Sequence, residues 1–254
     1  MKRIALAVVF LVLAAALPAQ QQEQEYDEAV ALYHQGKVFL AAQALTKLAE
    51  KGDAKAQLFL GDLYSAGKGV PQDFSEAARW YRKAGDQGDA TAQFNLGTVY
   101  SAGKGVPQDK VEAIRWYRKA AEQGIVDAQF NLGVIYDTAE GELQDKAEAA
   151  RWYTEAAQHG SANAQFNLGL LYFKGEGVPQ DKAKAARWYR RAAGQGLAEA
   201  QLALGILYEK GEGVSQDRAE AVRWYRMAAE QGNTNAKASL RRLTGEETPE
   251  KPKP

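Results

Sequence analysis

The five tryptophans of this chain stand at Trp80, Trp116, Trp152, Trp188 and Trp224, each 36 residues after the last. A fixed period of that size marks a repeat array. One unit cannot bury its own apolar face, and stacked neighbours complete the core. The same feature bears on function, because an array presents one surface many times over, and such surfaces usually bind something.

Five units run 53–88, 89–124, 125–160, 161–196 and 197–232. The second reads DATAQFNLGTVYSAGKGVPQDKVEAIRWYRKAAEQG. Its spacing predicts two helices. Over 90–102 the residues Ala92, Leu96, Gly97 and Tyr100 recur at helical intervals, and over 110–123 so do Ala113, Trp116, Tyr117 and Ala120. A glycine-proline loop, Gly103 to Gln108, lies between them. Asp109 is expected to cap the second helix, with Glu112 bonding back to complete a capping box. The pattern repeats as Asp73/Glu76, Asp145/Glu148 and Asp217/Glu220, whereas Asp181 is followed by Lys184 and loses half the box. Gly88, Gly124, Gly160, Gly196 and Gly232 suit the left-handed position that ends a helix.

Glycine also falls inside each first helix, at Gly61, Gly97, Gly133, Gly169 and Gly205. There it costs roughly 1 kcal/mol against alanine. Its fivefold retention predicts close approach by a large Trp or Tyr of a neighbouring helix. Ala77, Ala113, Ala149, Ala185 and Ala221 read the same way, as the small partners of a large-against-small packing.

The string A-x-A-Q-F-N-L-G-x-x-Y-x-x-G-x-G-V-P-Q-D-x-x-x-A-x-x-W-Y-x-x-A-A-x-Q-G resembles the Sel1-like repeat, a relative of the tetratricopeptide repeat with a longer inter-helix loop. The resemblance covers residues 53–232 and implies an all-α, right-handed α/α solenoid, monomeric by default. Residues 20–52 read as a capping helix pair, with Tyr33-x-x-Gly36 in place but no G-V-P-Q loop and no Trp. Residues 233–243 read as a capping first helix bearing Arg241 and Arg242. Residues 244–254 form a short polar, proline-rich tail expected to be disordered.

The first nineteen residues are a separate object. Lys2 and Arg3 precede an uncharged apolar run of 13 residues, Ile4 to Ala16. That run is too short to span a bilayer comfortably. Leu17-Pro18-Ala19 and a glutamine-rich stretch follow. This is the pattern of a secretory signal peptide cut after Ala19, and it predicts a periplasmic or secreted protein with no membrane insertion after cleavage. Lysine plus arginine equals aspartate plus glutamate at 32 each, so charge does not steer the chain to nucleic acid. The absence of cysteine excludes disulfides, thiol catalysis and cysteine-ligated metal.

Catalytic motifs are few. Ser65-Ala66-Gly67-Lys68 and Ser101-Ala102-Gly103-Lys104 fit S-x-x-K, the nucleophile motif of serine β-lactamases. Some Sel1-like proteins are described as β-lactamases, so a β-lactam- or peptidoglycan-active hydrolase is the alternative function. Here, however, the serine ends a helix instead of starting one, against the negative end of the dipole, and neither S-D-N nor K-T-G occurs. Gly97 to Lys104 has one residue too many for a P-loop and follows no strand. The Arg-Trp-Tyr-Arg strings read as packing residues flanked by surface arginines. His34 and His159 are far apart in the sequence, and His159 reads as a surface substitution for glutamine. No cofactor, metal ligand set or catalytic pair is expected.

The resemblance places the first helices on the inner, concave face of the array. The exposed stripe there carries Asn95, Asn131 and Asn167 before Leu-Gly, an asparagine ladder that suits either an extended peptide or the neighbouring repeat. After Leu-Gly come Asp62, Thr98, Val134, Leu170 and Ile206, a change from polar to apolar along the chain. Phe173 adds an aromatic beside Leu170. Unit three departs again in its loop, where Ala139, Glu142 and Leu143 replace Gly, Val and Pro. Exposed apolar patches mark partner sites. The expected function is therefore a non-enzymatic scaffold that docks a peptide or helix over the unit-three to unit-five face.

Overall fold

Thirteen residues of helix, a loop and a capped start recur down the chain, and the caps set where each helix begins. In the computed structural model, residues 20–245 are described. The expected signal peptide (1–19) and most of the expected tail lie outside the described residues. Contacts divide the chain after Ile125, and each part is a run of antiparallel helix pairs. The first part holds α1 (20–34), α2 (Val38–Glu50), α3 (Ala54–Ala66), α4 (Phe74–Asp86), α5 (Ala90–Ala102) and α6 (Lys110–Glu122). The second holds α7 (Val126–Thr138), a 3₁₀ turn at Gly141–Leu143, α8 (Lys146–Gln158), α9 (Ala162–Lys174), α10 (Lys182–Gly194), α11 (Ala198–Lys210), α12 (Arg218–Glu230) and α13 (Thr234–Thr244). Each helix packs on its sequence neighbours within its part. No strand occurs among the described residues, so the fold class is the all-α helix-pair solenoid.

Asp109 caps α6, accepting from the amides of Val111 and Glu112. The capping box does not close, and this corrects the expectation. The Asp109 amide donates to the Tyr100 carbonyl of α5 at 3.0 Å. The same bond runs from Asp73 to Tyr64, Asp145 to Tyr136, Asp181 to Tyr172 and Asp217 to Tyr208. The loop is thereby tied to the helix before it, and the glutamate is released. Glu112 and Glu220 accept from the indole N–H of Trp116 and Trp224 at 3.1 and 3.0 Å. Glu76 and Glu148 turn instead to Arg79 and Arg151. The indole nitrogens of Trp80 and Trp152 are left buried without a partner.

First helices have caps that were not read from the sequence. Asp53, Asp89, Ser161 and Asn233 each accept from the amide three residues on, and Leu197 stands in the same place with no side-chain bond. Such a cap is worth about 1 kcal/mol. The loop glutamines Gln72, Gln108, Gln180 and Gln216 donate to backbone carbonyls in the last turn of the first helix. Unit three is the exception. Its Ala139 is buried and continues the helical turn by bonding Ile135, and the 3₁₀ turn follows.

The core is built of alanines against aromatics. A β-carbon on Gly97 would come within 2.6 Å of the Tyr117 ring, and one on Gly205 within 2.7 Å of Tyr225. The close approach predicted for the mid-helix glycines is present at all five, and the tyrosine makes it. Trp116 is buried on the same helix. Truncating such a side chain costs about 3–5 kcal/mol.

Candidate partner-binding surface

A relay of buried glutamines runs between successive helix pairs. Gln57, Gln93, Gln129, Gln165 and Gln201 are buried. Gln93 donates to the Gly85 carbonyl at 2.9 Å and accepts from Gln123 at 2.8 Å. Gln57, Gln165 and Gln201 repeat both bonds one unit away. Each relay joins the end of one helix pair to the start of the next, and an unmade bond there would leave a buried amide at about 1–3 kcal/mol. Sequence reasoning missed these residues, although the Ala-Gln pair in every unit was the signal. His159 is at the surface in the glutamine's slot, as read, and its Nδ1 lies 3.2 Å from Gln129 Oε1, where the other units have the second glutamine of the relay.

The tyrosine that crosses each mid-helix glycine carries its hydroxyl out to the first-helix face. Tyr81 donates to Asp62 at 2.8 Å and Tyr117 bonds Thr98 at 3.1 Å. Tyr153 reaches Asp137 at 3.3 Å, and Tyr225 reaches Glu209 at 2.7 Å. Burial raises the Asp62 carboxyl above the usual carboxylate range, with the Tyr81 bond opposing and Asp89 adding to the rise. Glu209 is lowered, because Arg242 binds it at 2.7 Å against a smaller effect of burial.

The predicted face is assembled in parts. Asn95 is half-buried, and its amide donates to Asp62 Oδ1 at 3.3 Å. This favours the structural use of that asparagine. Asn131 and Asn167 are half-buried in the second part of the chain, with Asn167 beside the Tyr153 hydroxyl. Val134, Leu170 and Ile206 follow the mid-helix glycines, and Phe173 lies one turn beyond Leu170. All four are half-buried. Val134 abuts the cluster of Tyr153, Leu168 and Leu171. Leu170 and Phe173 abut that of Tyr189, Leu204 and Trp224, and Ile206 that of Tyr225 and Leu240. The next helix pair covers part of each side chain and leaves the rest on the surface. The exposed large apolar side chains among the described residues are Phe39, Leu40 and Val111.

The remaining motifs fall into structural places. Ser65 and Ser101 lie in the last turns of α3 and α5, and their carbonyls accept from Gln72 and Gln108. The Arg-Trp-Tyr-Arg strings fold their cations over the indoles, with Arg79 at 4.7 Å from the Trp80 ring and Arg223 at 5.3 Å from Trp224. No group of three His, Asp or Glu capable of holding a metal occurs among the described residues. No described helix is long and apolar enough to cross a membrane.

Repeated capped helix pairs with a tyrosine over a helix glycine define an α/α repeat protein. The Sel1 repeat model matches residues 54–89, 90–125, 126–161, 162–197 and 198–233, each one residue later than the units read above. The chain belongs to the Sel1 repeat family. Members of this family generally bind protein partners and are generally non-enzymatic scaffolds. Among solved structures, a Sel1 repeat protein from Oxalobacter formigenes is 37% identical with a TM-score of 0.76, over 89% of this chain and 92% of that one. A protective antigen of uropathogenic Escherichia coli is 36% identical with a TM-score of 0.81, over 88% of this chain. This chain spans about half the length of that antigen, 51%. No curated protein matches the chain.

Proposed function

We propose that this chain is an exported, non-enzymatic scaffold that binds a peptide or helix of a partner protein on the first-helix face of units three to five. The observation that carries this is a change of chemistry at fixed positions. Where Asp62 and Ser65 stand in unit one, and Thr98 and Ser101 in unit two, unit four has Leu170 and Phe173. These two remain half-exposed after packing. Val134 and Ile206 extend the apolar character to either side in sequence. Asn131 and Asn167 supply amides that can both donate to and accept from a peptide backbone. The start of the chain supports export, to the periplasm or the medium.

Capture tests the reading. The purified protein and its Leu170→Glu/Phe173→Glu variant, shown equally helical by circular dichroism, are each exposed to envelope and secreted fractions. The expected result is a partner retained by the parent and lost by the variant. Equal capture by both removes this face as the binding site. Export is checked by the N-terminal sequence of protein recovered outside the cytoplasm, expected to begin at Gln20.

A further inference from the structure

We propose that the Tyr189 hydroxyl is a ligand-binding hydrogen-bond donor, and that it takes a backbone carbonyl of a peptide whose apolar side chain rests on Leu170 and Phe173. This rests on the binding face proposed above and names the chemistry of its occupant. The hydroxyls of the equivalent tyrosines find partners in three slots: the residue after the helix glycine, the residue one turn later, and the residue before Leu-Gly in the next unit. Tyr81 has Asp62, Ser65 and Asn95 in those slots. Tyr153 has Asp137 and Asn167, and Tyr225 has Glu209 and Ser239. In unit four the three slots hold Leu170, Phe173 and Ala203. None of these side chains can accept a hydrogen bond.

Tyr189 is held where its counterparts are held. It is 2% exposed. Its ring lies against Gly169, where a β-carbon would come within 2.6 Å, and 5.6 Å from the Phe166 ring. No described residue bonds its hydroxyl. Nor is that oxygen among the fully sealed atoms left without a partner, which are the Trp80 and Trp152 nitrogens. The oxygen therefore keeps slight solvent contact, in a cluster against which Leu170, Phe173 and Ala203 pack.

The surroundings select the acceptor. Burial holds the Tyr189 phenol above its ordinary pKa, so it stays protonated and can donate. Lys182, the cation over the Phe173 ring at 5.2 Å, is already paired with Glu212 at 3.4 Å. A carboxylate placed among apolar walls would lose its hydration without gaining a free cation, whereas a neutral carbonyl loses far less. An aliphatic or aromatic side chain followed by its own backbone carbonyl meets both requirements.

The test uses a displayed random-peptide library panned on the full chain, with the enriched peptides synthesised and their affinities measured by titration. Tyr189→Phe keeps the ring and removes the donor. Ala203→Asn places an amide where units two, three and four have one, and so gives the hydroxyl an internal acceptor. Each is expected to weaken an enriched peptide by about three- to tenfold, the worth of one hydrogen bond. Leu170→Glu/Phe173→Glu is expected to abolish binding. If that double variant abolishes binding while Tyr189→Phe and Ala203→Asn bind like the parent, the donor assignment is overturned and the binding face stands. If no peptide enriches, or all variants bind alike, both are overturned.

Discussion

At the scale of single residues, the hydroxyls of the crossing tyrosines separate two kinds of site that share one sequence slot. Tyr225 gives its proton to Glu209 at 2.7 Å, whereas Tyr189 has no described partner. Tyr225→Phe should therefore lower stability by about 1 kcal/mol, the net value of a hydrogen bond. Tyr189→Phe should leave stability within about 0.5 kcal/mol of the parent. Paired urea titrations read the difference, and equal losses would mean that the Tyr189 hydroxyl is bonded inside the fold. Glu209 makes a second prediction through pH. Its pKa is lowered in the fold, chiefly by Arg242. A lowered carboxylate contributes stability that is fully present above its unfolded value, near 4.5, and is lost as pH falls through the folded value. The gap in melting temperature between the parent and Arg242→Ala should thus be open at pH 7 and narrow as pH falls below the ordinary value of 4.5.

At the scale of elements, helix propensity and packing oppose each other at the glycines. In an isolated helix alanine is better than glycine by about 1 kcal/mol. Gly205 should reverse that order, because a β-carbon there meets the Tyr225 ring at 2.7 Å. Gly205→Ala is expected to destabilise by about 1–3 kcal/mol through overpacking. Gly194, at the end of α10, has nothing within 4 Å of the same hypothetical carbon, so Gly194→Ala should stabilise by about 0.4–1 kcal/mol. Thermal unfolding of the two variants, measured side by side, should move in opposite directions. The elements themselves were legible in the sequence to within a residue or two, since periodicity, glycine stops and aspartate caps all act locally. The capping box was misread because Asp109 has two candidate bonds for its amide. Only the packed pair brings the Tyr100 carbonyl within 3.0 Å of it.

At the scale of the molecule, electrostatics contribute little to stability. Positive and negative side chains balance at 32 each. Most ion pairs lie at the surface, and several are single-turn pairs such as Arg79–Glu76 and Arg223–Glu220. Exposed pairs of this kind are worth about 0–1 kcal/mol and are screened by salt. Raising sodium chloride from about 0.05 to about 1 M should therefore shift the melting temperature by no more than a few degrees. A large fall would show that the ion pairs, and not the alanine–aromatic core, hold the helix pairs together. The candidate face was only partly legible at this scale. Leu170 and Phe173 were found from their departure from the repeat, but the spacing leaves exposure and packing on the next first helix equally open, because burial depends on how far the next helix pair overlaps them.

The sequence by itself determined the repeat, its two helices, the loop and the positions of the mid-helix glycine contacts, because each follows from spacing within one unit. The tertiary structure decided which donor meets which acceptor. The glutamine relay and the place of His159 in it join residues from different helices. Glu112 is free for Trp116 because the Asp109 amide goes to the Tyr100 carbonyl of α5, and the Tyr189 hydroxyl is isolated by what the neighbouring helices place around it. A hydrogen bond is made or lost over about 1 Å, and that precision is set by packed neighbours, which a periodic pattern does not encode.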